Sequence, residues 1–323
     1  MKKTLLLLVF CLYACVGFAQ DSRMLINPGR ETFVDFPSKT LGWIKTMTVF
    51  LPEEAVPLKG TYPVVYVLGA GPKDAQEVKA FLDASAQKAI VVGVDLSDKD
   101  LKDVSSAVDF VAKELVPYTD TNYPTYAYPE SRVIAGTGAQ YAAVAAALLG
   151  KPGLFNNGML ALPGAEPVKT AFPSKLRLLL RGSAEEIAAW QLYLDDNGFE
   201  YGRNFVCRLG DSRAFADNLP LTYFFGPAKD LAVRKAEAAV SAKTLSLEDE
   251  AGVAFTVKTV LQNGLEFDYL PASLRLSPPY LSWDASKGRL FVVSGAEAGT
   301  VKIHGLAGRA AFNAKIKLKK QEK

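Results

Sequence analysis

The chain has 323 residues, of which 49% are hydrophobic and 22% are charged, a composition typical of globular proteins with a large core. Its formal net charge of +3 is too small to favour nucleic acid or an anionic membrane surface as a partner. With 1 histidine and 3 cysteines, the sequence lacks the ligand clusters of ordinary zinc sites, so we expect no metal and no cofactor.

The first 19 residues have the three parts of a secretion signal. Lys2 and Lys3 are followed by an apolar run from Leu5 to Val16 and by small residues that predict cleavage after Ala19. The apolar run is too short for a membrane span. We therefore expect export, to the periplasm or outside the cell. Cys15 keeps a lipid-anchored protein open as the less favoured alternative.

Buried strands alternate with helices over residues 20–230. Short apolar runs bounded by Gly or Pro predict strands, and the segments between them have helical periodicity. This alternation predicts a doubly wound α/β sheet in a first domain. The predicted strands are 46–51, 63–68, 89–94, 133–135, 176–180 and 205–209, and the predicted helices are 75–87, 107–116 (ended by Pro117), 139–149 and 185–197.

The pattern changes after residue 230. Residues 231–244 are predicted to be a helix or linker, and the following residues 245–323 to be an all-β domain. Alternating runs separated by turn residues such as Asn263-Gly264 predict a small, immunoglobulin-like sandwich. The Lys-rich stretch from Lys315 to Lys323 is predicted to be a solvated terminus.

Residues 132–141 have the layout of a strand, a sharp glycine turn and a small-residue helix. This is the layout of the nucleophile elbow, whose motif G-x-S-x-G raises a serine on a strained strand-to-helix turn. Gly138 stands where that serine would be, between Thr137 and Ala139. A one-residue shift would place Thr137 at the apex, which we keep as an alternative nucleophile.

The region from Thr46 to Pro227 resembles the putative-esterase family of α/β-hydrolases, which includes esterase D and enterochelin-esterase-like and feruloyl-esterase-like proteins. The resemblance rests on the order and spacing of several short pieces. These pieces are Thr48–Pro52, Tyr62–Leu68, Ala89–Asp95, Glu114–Tyr118, Arg132–Gly136 and Lys151–Phe155. It implies an α/β-hydrolase fold and an esterase site built from serine, histidine and acid.

The family's catalytic positions are degenerate in this sequence. The resemblance puts the serine on Gly138, the acid near Glu185 and the histidine near Asp211, and it puts the oxyanion loop at Gly69 and Ala70. An aspartate cannot replace the neutral imidazole that accepts a serine proton. The one histidine, His304, falls in the predicted β domain.

Tyrosines are concentrated before the elbow strand, at Tyr123, Tyr126 and Tyr128. In the related esterases this connection lies near the mouth of the cleft, so the resemblance makes them candidate binding residues, with loop packing as the alternative.

The sequence as a whole predicts an exported pseudo-esterase that binds a protein partner in the cell envelope or a carbohydrate-type ligand. The alternative is an active ester hydrolase that uses Thr137 on a small or carbohydrate-linked ester.

Overall fold

The computed structural model describes residues 31–52, 60–69, 88–164, 166–210 and 221–320. The predicted signal segment, the predicted helix at 75–87 and the position Asp211 lie outside these ranges. The strands are β1 (Glu31–Pro37), β2 (Ile44–Phe50), β3 (Val64–Leu68), β4 (Ile90–Val94), β5 (Arg132–Thr137), β6 (Asn157–Ala161), β7 (Arg177–Gly182), β8 (Phe205–Leu209), β9 (Val233–Val240), β10 (Thr244–Ser246), β11 (Val253–Leu261), β12 (Glu266–Tyr269), β13 (Arg275–Ser277), β14 (Leu281–Asp284), β15 (Arg289–Val292), β16 (Gly299–Ala307) and β17 (Ala310–Lys319). The α-helices are α1 (Asp98–Leu101), α2 (Val104–Phe110), α3 (Val116–Asn122), α4 (Ala139–Leu149), α5 (Ala184–Asp196) and α6 (Leu221–Phe225).

The first eight strands form one mixed sheet in the order β1-β2-β4-β3-β5-β6-β7-β8. Strands β3 to β8 are parallel to one another, whereas β1 and β2 join the edge in antiparallel pairs. Strands β3, β4 and β6 are buried along their whole length, because a parallel sheet is covered on both faces. The continuous apolar runs that predicted these strands follow from that burial, and the predicted α/β class is confirmed.

The two faces of this sheet have separate cores. On one face, residues of α2, α4 and α5 pack with Tyr66, Ile134 and Leu178 in a large apolar cluster. On the other face, Tyr223 and Phe224 of α6 pack with Val65 and Val133. Since side chains alternate along each strand, the two sets of strand residues interleave in the sequence.

The helix that contains Pro117 is longer than the sequence predicted. The prediction ended it before Pro117, yet α2 continues through a π-helical turn (Val111–Leu115) into α3. Within that turn the N–H of Val116 donates to the carbonyl oxygen of Val111, five residues earlier. The wider turn gives the proline ring room beside the preceding carbonyl groups, so Pro117 starts a new helical segment instead of ending the helix.

The chain beyond residue 230 is an all-β region that continues the first sheet. Strand β12 pairs with β8 through Asp268 and Cys207, and β11, β15 and β14 extend the same sheet from there. A second sheet, β10-β17-β16-β13, packs against this extension around Phe255, Ile303 and Phe312. The two regions therefore share one sheet, with β8 as the junction.

Two predictions for this region are wrong. Most of the predicted helix or linker at 231–244 is strand β9, which pairs with β11 over Val233 to Val240. The Lys-rich stretch predicted as a solvated terminus contains the end of β17, where Ile316 and Leu318 are buried between exposed lysines. In both segments exposed side chains alternate with more buried ones, and few of the residues are apolar. This is the pattern of an antiparallel strand with one face in solvent.

Candidate active site

Gly138 is the turn residue between β5 and α4. Its backbone has φ 87° and ψ 153°, and its N–H donates to the carbonyl oxygen of Ala161 at 2.8 Å. Essentially only glycine adopts this conformation, which marks a sharp turn of the backbone. The structure therefore has the predicted strand, sharp turn and helix, with Gly138 at the apex between Thr137 and Ala139.

Two glycines of the turn have different surroundings. A Cβ on Gly136 would collide with the carbonyl oxygen of Tyr141 in α4, so this position requires glycine. A Cβ on Gly138 would meet no atom of the described residues within 4 Å. Gly136 corresponds to the first glycine of G-x-S-x-G, and its lack of a side chain lets the backbone of α4 lie close to β5. The apex thus has room for a side chain and has none.

The alternative nucleophile, Thr137, is placed unfavourably for attack. Its Oγ1 atom is buried and has no hydrogen-bond partner among the described residues. A hydroxyl becomes a nucleophile when an adjacent base accepts its proton. The histidine of the chain, His304, is exposed on β16, opposite Arg275 and Asn313 in the second sheet. Because the sequence has no other histidine, no imidazole of this chain lies at the elbow.

The predicted acid, Glu185, is exposed in the first turn of α5. Its neighbour Glu186, which the sequence analysis did not single out, is partly buried and forms hydrogen bonds at this edge of the sheet. Its Oε2 accepts hydrogen bonds from the N–H and hydroxyl of Ser183 at 2.9 and 3.0 Å, and its Oε1 accepts from the N–H of Gly164 at 2.9 Å. The pattern Ser183-x-x-Glu186 is a capping box and predicts the contact with Ser183 from sequence, whereas the contact with Gly164 is long-range.

Through these contacts Glu186 stabilises the loops after β6 and β7. Gly164 lies next to the elbow, since a Cβ on it would be 3.8 Å from the Cβ of Ala139. The carbonyl oxygen of Gly164 accepts from Nε1 of the buried Trp190 at 3.0 Å. The N–H and the carbonyl oxygen of Gly164 are thus both hydrogen-bonded to side chains of α5. These bonds connect the loop after β6 to the helix that follows β7.

In the loop after β3, the N–H of Gly69 is already hydrogen-bonded within the sheet. The N–H of Gly69 donates to the carbonyl oxygen of Val94 at 2.9 Å, as part of the sheet. The Tyr141 ring packs so closely on Gly69 that a Cβ there would be 2.8 Å from its Cε2 atom, and the Tyr141 hydroxyl donates to the carbonyl oxygen of Leu96 at 2.7 Å. Ala70, the second predicted oxyanion residue, lies outside the described residues. Oxyanion holes need N–H groups aimed at the reacting oxygen, and Gly69 supplies none.

The candidate binding tyrosines are not at the elbow. Tyr126 donates its N–H to the carbonyl oxygen of Tyr62, which precedes β3, and Tyr128 precedes β5. The elbow follows β5, so these residues lie at the opposite edge of the sheet, and their predicted position at the cleft mouth is wrong. Tyr123 is 8% exposed, and burial raises the pKa of its hydroxyl to about 12. Tyr126 and Tyr128 are exposed, at 44% and 63%.

No group of three or more His, Cys, Asp or Glu side chains suited to a metal ion occurs within the ranges described. In the same ranges, no helix combines the length and the apolar character needed to cross a membrane.

Comparisons with known proteins agree on the first region of the chain. Residues 38–193 match the family model described as putative esterase. Similar solved structures include an IroE-like serine hydrolase from Shewanella oneidensis (18% identity, 56% of this chain and 73% of that chain, TM-score 0.45). They also include a ferulic acid esterase (18%, 62% and 98%, TM-score 0.49) and the enterochelin esterase of Shigella flexneri (16%, 61% and 56%, TM-score 0.44).

Among curated proteins none matches the chain. The family model covers the strands and helices from β2 to α5, including the elbow. Over residues 38–193, just under half of its length, the chain is similar to the putative-esterase family.

Proposed function

We propose that this protein is an exported pseudo-esterase, a hydrolase-fold protein that performs no acyl transfer and acts as a binding or assembly module in the cell envelope. The observation that supports the proposal is Gly138, which occupies the sharp turn between β5 and α4 and has no side chain. An acyl-enzyme requires an attacking oxygen at that apex.

The surroundings of the apex support the same proposal. Thr137 has a buried hydroxyl with no hydrogen-bond partner among the described residues, and Glu186 uses its carboxylate oxygens on Ser183 and Gly164. The chain has no histidine outside β16. Without a base and its orienting acid, the residual catalysis of a hydrolase site is about 10³–10⁴-fold over water and involves no covalent intermediate.

The all-β region adds a second surface to such a module. Its strands β9 to β17 form two packed layers, and we propose that they make up an immunoglobulin-like unit that contacts the partner. The partner class is a protein of the envelope or a carbohydrate-type ligand.

The hydrolysis of p-nitrophenyl acetate tests the proposal. We expect no burst of p-nitrophenol, and a slow linear rate that is identical in the wild-type protein and in Thr137→Val. A burst equal to the protein concentration that disappears in Thr137→Val would establish instead an active ester hydrolase with a threonine nucleophile.

A further inference from the structure

A cavity of about 670 Å³ opens at the edge of the sheet opposite the elbow. Its walls include residues just before or at the start of strands, among them Pro63, Lys88, Asn157 and Arg177. Strand β5, which separates this edge from Gly138, has 6 residues and so spans about 20 Å. The cavity is therefore distinct from the degenerate hydrolase site, and its volume is in the range of ligand pockets.

Positive charge dominates the walls of this cavity. Among the described residues that line it, four have cationic side chains and one, Glu130, has an acidic side chain. The cationic residues are Lys88, Lys175, Arg177 and Arg203. Arg203 and Lys175 are exposed, and neither forms an ion pair or hydrogen bond within the described residues. Such convergent cations favour an anionic ligand.

Arg177 is held in place by the helix on the far side of the cavity. Its Nη1 lies within hydrogen-bond distance of the carbonyl oxygens of Tyr223 (3.1 Å), Phe224 (2.6 Å) and Gly226 (2.7 Å), at the end of α6. Burial lowers the pKa of this guanidinium, but an arginine remains charged at neutral pH. One cation of the wall is thus fixed, while Lys175 and Arg203 are exposed at the rim.

The cavity also has apolar and aromatic lining. Phe224 is buried, Phe225 is partly buried, and Leu176 and the 44%-exposed Tyr126 also contribute to the wall. Aromatic rings offer a flat apolar surface to a ring-shaped ligand body. A ligand that fits both features has an apolar or sugar body and a negatively charged group.

We propose that this cavity binds a small organic anion, with a carboxylate or phosphate group facing Lys175, Arg177 and Arg203 and a ring body against Tyr126 and Phe225. The biological role of such a ligand depends on the proposed function of the protein as a binding module. The binding itself is measured without reference to ester hydrolysis, so either proposal can fail while the other stands.

Isothermal titration calorimetry with three probes tests the inference. The probes are p-nitrophenyl glucuronide, p-nitrophenyl phosphate and the neutral p-nitrophenyl glucoside. We expect at least one anionic probe to bind about tenfold more tightly than the glucoside at low salt, with a smaller difference at high salt. That probe identifies carboxylate or phosphate as the preferred group.

A double variant, Lys175→Gln with Arg203→Gln, localises the site. We expect it to weaken binding of the anionic probe about tenfold while leaving the glucoside unaffected. The matched control, Lys302→Gln with Arg234→Gln, removes the same charges from exposed positions on β16 and β9 and should bind like the wild type. The inference is overturned if neither anionic probe binds more tightly than the glucoside, or if the two double variants behave alike.

Discussion

The ring of Tyr141 lies directly on the backbone of Gly69, and its hydroxyl donates to the carbonyl oxygen of Leu96 at 2.7 Å. Tyr141 belongs to α4, Gly69 follows β3 and Leu96 follows β4. One side chain thus joins the elbow helix to the loops after two neighbouring strands. In a working esterase the loop after β3 supplies N–H groups to the oxyanion, whereas here Tyr141 packs against it and the Gly69 N–H bonds to Val94.

The two glycines of the elbow should respond differently to alanine. Gly136→Ala brings a Cβ onto the carbonyl oxygen of Tyr141 and should lower the free energy of unfolding by about 3 kcal/mol. Gly138→Ala meets no atom of the described residues and should cost about 1–2 kcal/mol, because residues other than glycine rarely adopt φ 87° and ψ 153°. Urea unfolding measures both. Equal losses would show that close packing at Gly136 is not what fixes the turn.

Replacing Thr137 by valine tests whether its hydroxyl has a role. The Oγ1 atom is buried without a partner among the described residues, so the isosteric methyl group should leave stability unchanged or raise it by about 1 kcal/mol. Thr137→Ala, which removes volume from the same place, is the control and should be destabilising. A loss of more than about 1 kcal/mol in Thr137→Val would show that the hydroxyl has an acceptor that stabilises the native protein.

Glu185 and Glu186 form a matched pair for the role of the capping box. Glu186→Ala removes the acceptors of Ser183 and Gly164 and should cost about 1–2 kcal/mol of stability. Glu185→Ala, at an exposed neighbouring position, should change stability by less than about 0.5 kcal/mol. Thermal unfolding followed by circular dichroism compares the two. A larger loss for Glu185→Ala would contradict the assignment of the carboxylate.

The shared sheet predicts that both regions unfold together. Phe267 of β12 is buried in the same cluster as Val206 of β8 and Leu179 of β7. Phe267→Ala should therefore lower the stability of the whole described fold by about 3–5 kcal/mol in a single calorimetric transition. Leu306→Ala, at a position 61% exposed on β16, is the control with little effect. Two transitions, of which one is unaffected by Phe267→Ala, would show independent domains.

Sequence patterns predicted the parallel strands well because burial on both faces leaves an uninterrupted apolar run, as in Val64–Leu68 and Ile90–Val94. Strands with one face in solvent were harder to predict from sequence. Strand β9 has the sequence VRKAEAAV, whose alanines and charges suit a helix as well as a strand. Its β structure depends on pairing with β11, a long-range contact that local sequence does not specify.

The elbow was predictable because its glycines are close in sequence, whereas the positions of the tyrosines depend on topology. Tyr126 and Tyr128 are near Gly138 in sequence but are separated from it by the length of β5. The family resemblance placed them at the wrong edge. The cationic cavity draws on segments from Pro63 to Ala228, so no local pattern could have revealed it.

Incubation with a fluorophosphonate probe, followed by intact-mass measurement of the protein, tests the absence of an activated nucleophile most directly. The account predicts that the mass is unchanged after long exposure to excess probe, because Gly138 has no side-chain hydroxyl and the one histidine, His304, lies on β16. A stoichiometric adduct that maps to residues 132–141, and that is lost in Thr137→Val, would contradict it.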